Sequence, residues 1–247
     1  LVANDEQLTI ECRASSGAAE VLSSPINIDG FTLDADCYVD IFSPVGHRSN
    51  GMWDDDKYVL DSYTNEVTRA IDVKIPFVRI RHLQVHKSPW GSTRGVMFSI
   101  GANNGLADGV IVKGRSLTGA GYGFDSYYCK DTIFRNCISI GSGIGIRFIA
   151  SDGDPLYAIN CTVYDAHDYG IYSNGNYSAY AINCAVFNTS GDDFGGTGLA
   201  ISYCASDDGD GTNAVALNDN ASGEWASAFT DYANGDFSIK NTDSVLY

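Results

Sequence analysis

An all-β chain wound as a right-handed, single-stranded parallel β-helix is the fold class that three features predict. A short apolar phrase recurs along the sequence, a second column of phrases recurs beside it, and neither column carries a helical period. Ala-Ile-Asn-Cys stands at 158–161 and again at 181–184, followed by Thr162-Val163-Tyr164 and Ala185-Val186-Phe187. Extended both ways, the echo becomes "IRHLQVHK" on Leu83, "ADGVIVKG" on Val110, "FRNCISIG" on Cys137, "AINCTVYD" on Cys161, "AINCAVFN" on Cys184 and "AISYCASD" on Cys204. The steps are 27, 27, 24, 23 and 20 residues.

The second column reads Ala70-Ile71, Gly95-Val96, Gly123-Phe124, Gly145-Ile146, Gly170-Ile171 and Gly198-Leu199. A unit of about 25 residues with short strands cannot bury its apolar face alone, but it can when stacked on copies of itself. The Leu-x-x-Leu-x-Leu pattern of leucine-rich repeats is absent, and propeller blades need about 40 residues. A coil per unit remains, with each strand paired to its counterpart at ~4.8 Å. No helix longer than about three turns is expected.

The elements of a coil follow from residue chemistry. Parity breaks at the Asn of Asn-Cys, and Asn tolerates the left-handed conformation, so Asn136, Asn160 and Asn183 are expected at a sharp bend between two strands. Beyond the bend, alternation points Leu83, Val110, Cys137, Cys161 and Cys184 inward, and Val85, Val112, Ser139, Val163 and Val186 two residues later. Stacked in register, Cys137, Cys161 and Cys184 point the same way and are expected as buried free thiols. The chain is expected to form a single domain over 1–247. Its clear repeats cover about 65–205, the first coils at 1–64 are less regular, and 206–247 forms a terminal coil or capping segment.

The net charge of −16, from 31 acidic and 15 basic residues, argues against binding DNA, RNA or an anionic membrane surface, all of which need a positive face. No apolar run approaches a membrane span, and no signal-peptide pattern opens the chain. Seven cysteines without a CxxC pair or a nearby His at ligand spacing argue against zinc. The first residue is Leu, which suggests a processed or incomplete chain.

By these repeats the chain resembles the pectin-lyase-like right-handed parallel β-helix proteins. The stretch "INIDGFTLDADCYVDIFSPVGHRSNGMWDDDKYVL" resembles the first coils of such proteins on tailed-bacteriophage virions. The resemblance implies a non-enzymatic structural protein of fibre, spike or decoration type, located extracellularly or on a virion surface, that contacts glycans. It also implies self-association as a trimer or filament, or association with other virion proteins. The alternative is a polysaccharide lyase or depolymerase acting on an acidic glycan.

Candidate sites divide along the same line. A lyase needs a base and a cation to neutralise a uronate, and Lys113, Arg115 and His86 are the residues suited to those roles. Tyr164, His86 and Lys113 are the glycan-binding candidates. Hydrolases of this fold pair two Asp residues, and Asp192-Asp193 in "GDDF" would be that pair, but the accompanying Gly-His-Gly and Arg-x-Lys are absent. Outward positions Ile138, Ile140, Tyr164 and Phe187 form an apolar patch, which points to a subunit interface. No cofactor is required; calcium is the ion that Asp54, Asp55 and Asp56 would suit, with "DDGDG" at 207–211 a weaker candidate. Both read more simply as solvated acidic loops. Asn160, Asn176, Asn188 and Asn220 carry glycosylation sequons.

Overall fold

The computed structural model describes residues 6–14, 19–62, 67–89, 91–114, 121–150, 155–175, 178–217 and 223–240. Arg115, Asn176 and Asn220 lie outside these residues.

Three parallel sheets of eight, nine and seven strands wind around one core, so the protein is a parallel β-helix. A representative coil runs Ile133–Arg135 in the first sheet, Ile138–Ile140 in the second and Ile144–Ala150 in the third. The two columns of the sequence are the second and third sheets. Val85, Val112, Ser139, Val163 and Val186 pair in consecutive registers, all buried. The third sheet carries Ile71, Val96, Phe124, Ile146 and Ile171 in the same manner.

The last rung of that column requires a correction. Ile171 pairs with Phe194, whereas Leu199 belongs to the first sheet, opposite Ala179. Asp193-Phe194 thus takes the place that Gly198-Leu199 was expected to fill. Gly198 instead turns the chain, with φ of 74°, into the first sheet.

The bend is where the sequence puts it. Asn136, Asn160 and Asn183 have φ of 52°, 53° and 52°. The position continues through Tyr203 and Asn213, at 56° and 54°. The side-chain amides form a ladder, Asn183 Nδ2 donating to Asn160 Oδ1 at 2.8 Å and Asn160 Nδ2 to Asn136 Oδ1 at 3.3 Å. Beside them Cys137, Cys161 and Cys184 stack inside without a disulfide. Cys161 donates its thiol to Phe134 O and Cys184 to Ala158 O, each at 3.4 Å. Burial pushes both thiols well above the ordinary range.

The core is thin where the second and third sheets face each other, which explains the repeated glycine. A Cβ on Gly170 would stand 2.0 Å from Val186 Cγ1 and 2.5 Å from the Asp193 carbonyl. Gly95 and Gly145 meet Val112 and Val163 in the same way. Gly170→Ala is therefore expected to cost about 1–3 kcal/mol through overpacking. Adding Val186→Ala should recover part of that loss, because the carbonyl contact stays; a denaturant double-mutant cycle reads the coupling. Strict additivity would contradict a shared narrow core.

The outward apolar patch is covered from within the chain. Residues Glu224–Ala228 form a short helix, followed by a hairpin of Phe229–Asp231 against Asp236–Ile239, packed over the second sheet. Phe187 is fully buried, its ring stacked on Trp225 at 4.2 Å and on Phe229 at 5.5 Å. Ile138 and Ile140 join the same cluster. The expected subunit interface at Ile138, Ile140, Tyr164 and Phe187 is thus an internal one. The reason is economy of distance: a tethered segment supplies Trp225, Phe229 and Phe237 without the entropic cost of association.

Candidate functional site

Of the lyase candidates, His86 and Lys113 fall on the outer face of the second sheet. Asp61, His86 and Lys113 occupy one column on successive rungs. His86 Nδ1 lies 3.5 Å from Asp61 Oδ1, a pair that is ionic only when the ring is protonated. The Lys113 ammonium sits 5.0 Å from the Trp53 ring centroid, and His86 meets the same indole edge-on at 6.0 Å. Gln84 places that indole: its side chain accepts from Asp54 N at 2.7 Å and donates to Asp54 O at 2.8 Å, pinning the loop above the sheet. The structure therefore brings His86 and Lys113 together and adds Asp61 and Trp53, which sequence reading passed over. Asp61 matches the rung before His86, so the repeat register held the signal.

The column continues from Lys113 into Ile140, Tyr164 and Phe187 beneath the C-terminal segment. Tyr164 is crowded by Phe187, Tyr232 and Phe237 at 5.0, 5.5 and 5.8 Å. It belongs to the aromatic cluster, half-buried, rather than standing open as the glycan-binding candidate of the sequence.

The acidic candidates separate as well. Asp192 and Asp193 are neighbours in one strand, with Asp192 exposed and Asp193 buried. They cannot act as a pair on one substrate. Burial pushes the Asp193 carboxyl up to about 7, with Asp207 and Asp208 adding repulsion, although Asp207 N donates to it at 2.8 Å. A raised carboxyl keeps its proton in the folded chain while the unfolded chain releases it near pH 4. Stability should therefore fall as pH rises from about 4 to 7, by roughly 2–4 kcal/mol. Asp193→Asn should flatten that slope in melts across this window; an unchanged slope would contradict a protonated Asp193.

In the run Asp54 to Asp56, Asp54 accepts Asp56 N at 2.9 Å and Asp55 accepts the Trp53 indole N–H at 2.6 Å. Both carboxylates thus serve the loop's own turn. Among the described residues no group of three or more His, Cys, Asp or Glu has the arrangement of a metal site.

Elsewhere several outward arginines bind carboxylates of the same chain. On the third sheet, buried Asp125 accepts Arg94 Nε at 2.7 Å and both Arg147 Nε and Nη2, at 2.9 and 2.8 Å. The Arg147 guanidinium also lies 3.7 Å from the Tyr122 ring centroid. Asp72, buried on the same face, accepts Arg69 at 2.7 Å. On the first sheet Arg81 binds Asp40 and Arg135 binds Asp108, the latter at 2.6 Å.

One groove of about 410 Å³ opens between the asparagine turns and the C-terminal hairpin. Asn160, Thr162, Asn183, Tyr203 and Asn213 line one wall, and Phe229, Phe237 and Ile239 the other. Sequence reading missed it, because its walls come from segments with no shared repeat.

No family model matches this chain, and no curated protein matches it. Among solved structures, a rhamnogalacturonan lyase superposes with a TM-score of 0.58 at 10% sequence identity, covering 81% of this chain and 58% of that one. The chain thus spans less than two thirds of that neighbour's length. At this identity the likeness concerns the fold alone, a parallel β-helix.

Proposed function

We propose that the chain is a non-enzymatic surface protein whose solenoid is a rigid scaffold that contacts glycans without cleaving them, on a virion or in an extracellular setting. The observation that carries this reading is the pairing of outward charges. A lyase must offer an uncommitted cation to the uronate and a base beside the acidic proton. Here Arg69, Arg81, Arg94, Arg135 and Arg147 each bind a carboxylate of the same chain. All but Arg69, whose partner Asp72 lies in its own strand, thereby join successive coils, which is what a scaffold needs.

Cleavage of an acidic glycan remains the second reading, favoured by the Asp61–His86–Lys113 column. Incubation with polygalacturonate, alginate and other uronate polymers decides between them. Scaffold function predicts no ultraviolet absorbance from unsaturated products. Steady product release that His86→Ala and Lys113→Ala abolish would establish the lyase instead.

A further inference from the structure

We propose that the groove between the asparagine turns and the C-terminal hairpin binds a neutral glycan chain laid along the solenoid axis, an inference that rests on the glycan-contact reading above. Its volume of about 410 Å³ lies within the range of small-ligand sites. Three observations specify the ligand.

The first is the spacing and capacity of the amides. Asn160 and Asn183 stand on successive turns of the coil, Asn213 follows beyond Tyr203, and strands of neighbouring coils are ~4.8 Å apart. A side-chain amide has two N–H donors and a two-lone-pair acceptor. Asn183 spends one donor on Asn160, and Asn160 spends one on Asn136. Each keeps a second N–H for a partner outside the ladder, held in place by the bond already made. Repeated donors and acceptors at a fixed step suit a polymer whose hydroxyls recur along its length.

The second is Tyr203. It follows Asn183 in the same turn position and keeps φ at 56°, a conformation that Asn accepts readily and a tyrosine does not. The residue is 63% exposed, so little packing gain offsets the strain. A flat exposed aromatic beside amides is the surface on which the C–H face of a sugar packs.

The third is charge. Among the described residues lining the groove none is charged, and the whole chain carries −16. A uronate polymer would desolvate its carboxylates there without meeting a cation. A neutral chain pays no such penalty. The groove therefore selects against the acidic polymers that the Lys113 column would suit.

Two variants test this without endangering the fold. Tyr203→Asn completes the ladder and relieves the strained backbone while deleting the ring; Asn183→Gly keeps the left-handed turn while deleting an amide. Binding is measured by affinity electrophoresis and calorimetry on dextran, mannan and β-glucan, with polygalacturonate and alginate in parallel. The expected result is binding to at least one neutral polymer, weakened roughly tenfold by Tyr203→Asn, at an unfolding temperature equal to or above that of the unmodified chain. Neutral binding that neither variant alters would overturn the groove, as would a preference for the acidic polymers. Acidic binding abolished by Lys113→Ala would overturn the groove yet leave glycan contact standing. Binding to no member of the panel would overturn both.

Discussion

Phe187→Asp should unfold or nearly unfold the protein, with a loss of at least about 4 kcal/mol. Truncating a buried phenylalanine costs about 3–5 kcal/mol, and a carboxylate left in its place adds a desolvation penalty. Single domains have only about 5–15 kcal/mol in total. Phe187 is fully buried and touches Trp225, Phe229, Tyr232 and Phe237, so one substitution disturbs the whole seam between solenoid and C-terminal segment. Urea unfolding followed by Trp fluorescence reads the loss. A variant that stays folded at an unchanged midpoint, and merely becomes smaller in light scattering, would return the patch to a subunit interface.

Asp125→Ala is expected to cost about 3–5 kcal/mol, because it strands the Arg94 and Arg147 guanidiniums without their shared carboxylate. Asp125 is fully buried and takes hydrogen bonds from both. Tyr122 beneath Arg147 offsets little of this, since a ring face supplies about 0.5–2 kcal/mol. Asp40→Ala is the internal control: its partner Arg81 is about one-third exposed, so a smaller loss is expected. Equal losses for the two variants, by denaturant titration, would show that the third-sheet network is not the buried brace it resembles.

The parts of this protein that recur were legible in the sequence, and the parts that occur once were not. Asn136, Asn160 and Asn183 announced the bend because a left-handed residue must reappear in every coil. Leu83 through Cys184 announced the inner face because parity carries across a strand. The second column failed at its end because Asp193-Phe194 breaks the Gly-apolar pattern, while Gly198-Leu199 imitates it in a turn. The apolar column of Ile140, Tyr164 and Phe187 was visible, but its cover was not. Trp225, Phe229 and Phe237 lie in a segment with no repeat, so nothing in the sequence assigns them to that face. The site suffered in the same way. His86 and Lys113 were readable as neighbours by register, whereas Trp53 reaches them through a loop pinned by Gln84. The groove likewise joins Asn183 and Tyr203 to Ile239, a contact between the repeat and the unrepeated tail.

The central structural claim is that the chain's own C-terminal segment covers the outer apolar face of the second sheet. Hydrogen exchange of the backbone amides in Phe229–Asp231 and Asp236–Ile239, followed by mass spectrometry across a wide dilution series, tests it most directly. Cover from within the chain predicts protection that is independent of protein concentration. Protection that disappears on dilution would mean that a neighbouring molecule, not the tail, holds this face closed.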